Sequence, residues 1–208
     1  MKPPKVLLFF FCVVGLFSNA QRVQSSDPKF NFKDGVYLSI EEYKNNQPSL
    51  PFNRFCQKDG STLFDFKLEP TLYYRNDTNG VSPLSSSSLF GYAHYGNFYI
   101  KVDYLKQSYF ARLVVIGALC HFVCEVQQST VDYYYNTPRY TTAMLQFALD
   151  HETGKVVPFN QESFLVFLQR DKELYDEFTL LPKKKKKDLT FFYLRKYNQK
   201  HPVYFPLP

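Results

Sequence analysis

The chain has 208 residues, a formal charge of +6, 22 Phe and 17 Tyr but no Trp. Eight glycines and four cysteines exclude a glycine-rich phosphate cradle and a disulfide-stapled scaffold. The charge is local: it falls to +4 without Lys2 and Lys5 and to −1 without Lys183 to Lys187, so no nucleic-acid partner is expected.

Met1 to Ala20 reads as a secretory signal peptide: Lys2 and Lys5, an apolar run from Val6 to Phe17, then Ser18-Asn19-Ala20 before a cleavage point at Gln21. The run is too short to cross a hydrocarbon core of ~30 Å as a helix. Cys12 follows three phenylalanines, not the small residues that precede a lipidated cysteine. Export removes Cys12 and leaves Cys56, Cys120 and Cys124, enough for one disulfide at most. No later transmembrane segment follows, and the expected location is periplasmic or secreted.

Gln21 to Lys33 is polar and aperiodic, which predicts a flexible lead-in. Asp34 to Pro158 predicts an antiparallel β domain. It opens with a short strand at Val36 to Leu38 and a helix of one or two turns, for which Ser39 and Glu42 have capping-box spacing. Period-two alternation follows at Phe64, Phe66 and Leu68, then TLYYR, the turn at Asn79-Gly80 and a serine loop from Ser85 to Ser88. A hairpin turns at Tyr95-Gly96-Asn97. The apolar stretch Phe110 to Gln127 is rich in Val and Ile and reads as two strands or one bent strand, cornered at Gly117. TTAMLQFALD, a turn at His151 to Gly154 and KVVPF form the last hairpin.

After Pro158 the period becomes helical, with Phe164, Phe167, Leu168, Leu174, Tyr175 and Phe178 at matching spacing. Asn160 and Asp171 are the expected N-caps, and Pro182 sits where a third helix begins. In that helix Leu189, Phe192, Tyr193 and Tyr197 form the expected buried stripe, and the proline-rich end from His201 runs extended. The fold class is therefore α+β: an antiparallel sheet domain, sandwich or partial barrel, followed by a helical layer over 159–208.

Catalytic and metal signatures are absent from the sequence. On a strand, Cys120 and Cys124 share a face about 13 Å apart while His121 points the other way, so they neither bridge nor chelate together. Buried structural thiols are the expectation, with Cys56 paired to one of them as the alternative. His94 and His151 sit at predicted turns, and the four histidines have no ligand spacing. No cofactor is implied. Two surface features remain. Tyr133, Tyr134, Tyr135 and Tyr140 form a candidate aromatic contact surface, against the plainer reading that tyrosines cover a sheet. Lys183, Lys184, Lys185, Lys186 and Lys187 form a candidate anion-facing patch, against neutralisation by Asp171, Glu173, Asp176, Glu177 and Asp188.

The stretches GVYLSIEEYKNNQP (from Gly35), LFGYAHYGNFYI (from Leu89), LDHETGKV (from Leu149) and FFYLRKYNQKHPVYFP (from Phe191) carry a resemblance. Together they resemble uncharacterised exported proteins of Bacteroidetes-type bacteria. The resemblance implies an envelope or secreted bacterial protein, brings no functional residue with it, and makes the sequon Asn76-Asp77-Thr78 irrelevant. The expected function is a non-enzymatic binding module at the cell envelope, its partner an anionic envelope component or another protein. The rival is a hydrolase-type enzyme using a Cys or His in a cleft.

Overall fold

The computed structural model describes residues 21–63, 68–131 and 137–207. The expected signal segment, the strand expected around Phe64 and Phe66, and Tyr133, Tyr134 and Tyr135 lie outside the described residues.

The N-terminal part contains β1 (Arg22–Gln24), β2 (Gly35–Tyr37), α1 (Ile40–Lys44), β3 (Leu50–Pro51) and β4 (Phe55–Cys56). Two hairpins follow, β5 (Thr71–Arg75) with β6 (Val81–Ser85) and β7 (Gly91–His94) with β8 (Asn97–Tyr104); β9 (Gln107–Arg112) extends the second. Then come β10 (Leu119–Val131), β11 (Pro138–Asp150), β12 (Val156–Pro158), α2 (Gln161–Leu168), α3 (Lys172–Thr179), α4 (Lys183–Lys200) and β13 (Tyr204–Pro206). Among the described residues the strands form four sheets, ordered β3-β2-β7-β8-β9, β4-β5-β6, β10-β11-β12 and β1-β13, every pairing antiparallel. This is the α+β class expected, with no closed barrel.

Local chemistry accounts for most boundaries. The Ser39 hydroxyl accepts from the Glu42 amide at 3.2 Å, and the Glu42 carboxylate reaches back to the Leu38 amide at 2.8 Å, a capping box displaced by one residue. Tyr95 and Gly96 both have positive φ (50° and 72°), the geometry of a two-residue turn whose twist matches its strands, and the Asp34 carboxylate accepts from both amides. The serine run, expected as a loop, ends β6 and continues as a single 3-10 turn at Ser86–Ser88 tied to Pro70.

The β10–β11 ribbon is the middle layer. Cys120, Phe122, Cys124, Val126, Phe147 and Leu149 face a core shared with Tyr43, Phe98, Ile100 and Val102, while Leu119 and Ala148 face the helices. Period-two alternation thus feeds two cores from one ribbon. Each fully buried Phe or Leu contributes about 1.5–3 kcal/mol. A third, smaller cluster unites Val36, Leu50, Phe55, Leu72 and Leu89.

Residues 21–33, expected as a flexible lead-in, are instead built into the core. β1 pairs with β13, Arg22 opposite Pro206 and Gln24 opposite Tyr204, and Phe30 and Phe32 are buried against Phe205. The physical reason is burial of two aromatic rings, which outweighs the polar composition between them.

One side chain ties helix α4 to the backbone of β10. The Asn198 amide donates to the Leu119 carbonyl and accepts from the Leu119 N–H, both at 2.9 Å, standing in for a neighbouring strand. Gly117 marks the expected corner because a Cβ there would lie 2.4 Å from the Asn198 Cγ. Asn198→Ala leaves both Leu119 groups unpaired and is expected to cost about 1–3 kcal/mol. Gly117→Ala should cost a comparable amount in the native background and much less beside Asn198→Ala. A double-mutant cycle in urea checks this; additive losses would remove the coupling.

Candidate functional site

The described part of the molecule offers three places to look for function: the solvent face of α4, the ion network at its C-terminal end, and the cysteines and histidines of the cores.

Helix α4 begins at Pro182, which provides no side-chain cap, so the first-turn amides and the five lysines reinforce one positive end. Lys183, Lys184, Lys185 and Lys187 are exposed and Lys186 is half-buried. The expected neutralisation by the acidic residues of α3 is not found. Lys172 takes Asp176 at 2.6 Å, Lys196 takes Glu177, and Lys200 takes Asp171 at 2.9 Å and Glu173 at 2.6 Å. Among the described residues no carboxylate lies within 4.0 Å of the ammonium groups of Lys183 to Lys187, and Asp188 pairs with none of them. The reason is topological: the pairs Glu177–Lys196 and Glu173–Lys200 run antiparallel, so the carboxylates of α3 meet the second half of α4.

The same helix corrects the expected stripe. Tyr193, Leu194 and Tyr197 are buried and Leu189 is half-buried against them, but Phe192 is 51% exposed. Phe191 is also exposed, with its inner edge on His121 and Phe159. Leu180, at the corner that precedes Pro182, is 85% exposed.

At the other end of α4 the carboxylates are saturated. Asp171 caps α3 through the Leu174 amide and receives Lys200 Nζ at 2.9 Å and His201 Nε2 at 2.8 Å. Desolvation works against its ionisation, but these hydrogen bonds from Lys200, His201 and Leu174 prevail and hold it at about 2. Asp150 accepts both guanidinium arms of Arg170 at 2.9 and 2.8 Å. Beside them His151 has its Nε2 buried without a partner among the described residues, and burial followed by the Lys44 charge pushes its pKa down to about 4. The turn position expected for His151 is correct, but its ring lies against Tyr43 and Phe205.

These groups border an open depression of about 500 Å³ lined by Asp150, His151, Arg170, Tyr197, Lys200 and His201. A histidine beside a carboxylate in a pocket would favour the hydrolase reading, and His151 and His201 line this depression with Asp150. Among the described residues, however, no Ser, Thr or Cys side chain is hydrogen-bonded to either imidazole. Asp171 is engaged by three donors, which suits a junction that clamps α3 to α4.

The thiols lie where strand geometry puts them. Cys120 and Cys124 face the first core, and His121 faces the helices, bonded to Gln146 at 3.1 Å. All three described cysteines are free and buried. Burial raises the Cys120 thiol to about 11 and raises that of Cys124 as well. Among the described residues no group of three His, Cys, Asp or Glu side chains converges as a metal ion would need. Tyr140, the one described member of the aromatic surface, is 70% exposed on the outer part of β11, opposite Ser129.

No helix among the described residues is long and apolar enough to cross a membrane. No protein-family model, curated protein or solved structure matches the chain.

Two outcomes are expected. Stability should fall with acid in two stages: from about pH 6.5 to 4 as the unfolded state protonates His151 before the folded state does, and from about pH 4 to 2 as Asp171 is neutralised. Asp171→Asn should lower stability at neutral pH and flatten only the second stage, read by urea titrations across pH; an unchanged acid limb would refute the role of the carboxylate. In the thiol assay, Cys120 and Cys124 of the native protein should resist an aromatic disulfide reagent over hours and react within minutes in guanidinium. Rapid native reaction at either would reopen the nucleophile reading.

Proposed function

We propose that the protein is an exported, non-enzymatic binding module of the bacterial cell envelope, and that the first turns of α4 are its contact surface for an anionic partner. The single observation that carries this reading is the unpaired state of the five lysines beside carboxylates engaged elsewhere. A charge cluster at an uncapped helix start opposes the helix dipole by about 0.3–1 kcal/mol per residue. A phosphate or carboxylate partner relieves that repulsion and satisfies the free amides. The saturated Asp–His junction and the core-facing thiols support the non-enzymatic side of the proposal.

Export rests on the signal-like segment and on the resemblance to exported bacterial proteins. Cell fractionation followed by N-terminal sequencing should recover the protein outside the cytoplasm beginning at Gln21; cytoplasmic protein retaining Met1 would refute it. Anion binding is tested with inorganic polyphosphate, labelled for fluorescence anisotropy. At low salt the protein carrying Gln at positions 183–187 should bind roughly 100-fold more weakly, at ~1 kcal/mol per lysine with partial screening. Equal, salt-insensitive binding by both proteins would overturn the reading.

A further inference from the structure

The solvent face of α4 is not merely cationic. Lys184, Asp188, Phe192 and Arg195 follow one another at spacings of four, four and three, which places them along a single line of the helix, and all four are exposed. Lys185 and Phe191 flank that line and are exposed as well. The line is about 16 Å long. At its N-terminal end the corner contributes Leu180, the most exposed large apolar side chain among the described residues at 85%. Scattered apolar residues on a surface need no explanation, but here three fall within one lysine-bearing segment of thirteen residues, Leu180 to Phe192.

We propose that this face docks on the surface of an anionic lipid bilayer, with Lys184, Lys185 and Arg195 in the phosphate layer and Leu180 and Phe192 in the acyl boundary, while Lys183, Lys186 and Lys187, at the helical angles of the buried stripe, add to the local positive potential. This deepens the proposed function and rests on its basic-surface reading. Charge complementarity selects the sign of the partner, and the apolar side chains select its kind. A soluble polyanion offers counter-charge but leaves Phe192 and Leu180 in water. A bilayer interface offers both layers within the ~5–10 Å depth that a surface-lying helix occupies. The four-carbon lysine stems can follow the apolar side chains inward while their ammonium groups remain at the phosphates. The buried stripe of Tyr193, Leu194 and Tyr197 keeps the opposite side of α4 fixed to the protein, so the helix lies on the lipid without leaving its own core.

The sequence supplies its own probe. There is no Trp in the chain, so Phe192→Trp in the full protein gives one reporter at the position meant to enter the lipid. Mixed phosphatidylglycerol–phosphatidylcholine vesicles should shift its emission to the blue, whereas pure phosphatidylcholine vesicles and inorganic polyphosphate should not. In vesicle flotation the double variant Leu180→Ser, Phe192→Ser should lose anionic-vesicle binding by tenfold or more and keep its polyphosphate affinity. An unchanged thermal midpoint verifies its fold. Wild-type flotation by the double variant, or an unshifted Trp with bound vesicles, overturns the lipid contact. Polyphosphate binding without vesicle binding overturns it too and leaves the basic surface standing, while loss of both sinks the two readings together. Equal binding to neutral vesicles would refute the selection by charge.

Discussion

One carboxylate holds the helical layer in its arrangement. Asp171 closes the first turn of α3 and receives Lys200 and His201 from the far end of α4, so a single buried side chain ends one helix pair and orients it. Such a group is expensive to desolvate and stable only when its lone pairs are filled, which is why three donors converge on it. The direction of α4 follows from that convergence. With its last turn fixed at Asp171, its first turn points away from the acids of α3, and four of the five lysines are left exposed to water.

The docking of α4 on the sheet depends on a second polar device, the Asn198 amide paired with both backbone groups of Leu119. Apolar contacts from Tyr193, Leu194 and Tyr197 supply the attraction but are tolerant of sliding. The paired amide is not, because Gly117 leaves room for one placement only. Attraction and register are thus provided by different residues, as in a sheet, where side-chain burial stabilises and backbone pairing aligns.

Much of this was legible in the residues. Asn160, Asp171 and Pro182 stand at the helix starts expected of them, since capping is a local chemistry of amides and short side chains. The alternation around Cys120 and Cys124 was legible for the same reason. What sequence hides is partnership at a distance. Phe30 and Phe32 sit in a polar stretch whose role depends on Phe205, far along the chain, and no local pattern announces that meeting. The acids of α3 are near the lysine run in sequence, yet topology gave Glu177 to Lys196 and Glu173 to Lys200, and Asp176 is taken by Lys172. Phe192 and Leu194 are two residues apart and so lie on nearly opposite sides of one helix; the expected stripe included Phe192, and the fold buries the side that carries Leu194. The unpaired Nε2 of His151 had no sequence signal beyond its place at a turn.

The β1–β13 pairing sets an order of events. Residues 22–24 find their partner only when residues 204–206 are available, and Phe205 is itself wholly buried among Phe30, Phe32 and Tyr43. A loop of some 180 residues must therefore close before the first core is complete, a contact of the slowest kind. This edge of the first core stays open until nearly all of the chain has been synthesised. That delay leaves the leading strand with an unpaired edge, and Phe30 and Phe32 without their cover at Phe205, until the last segment arrives.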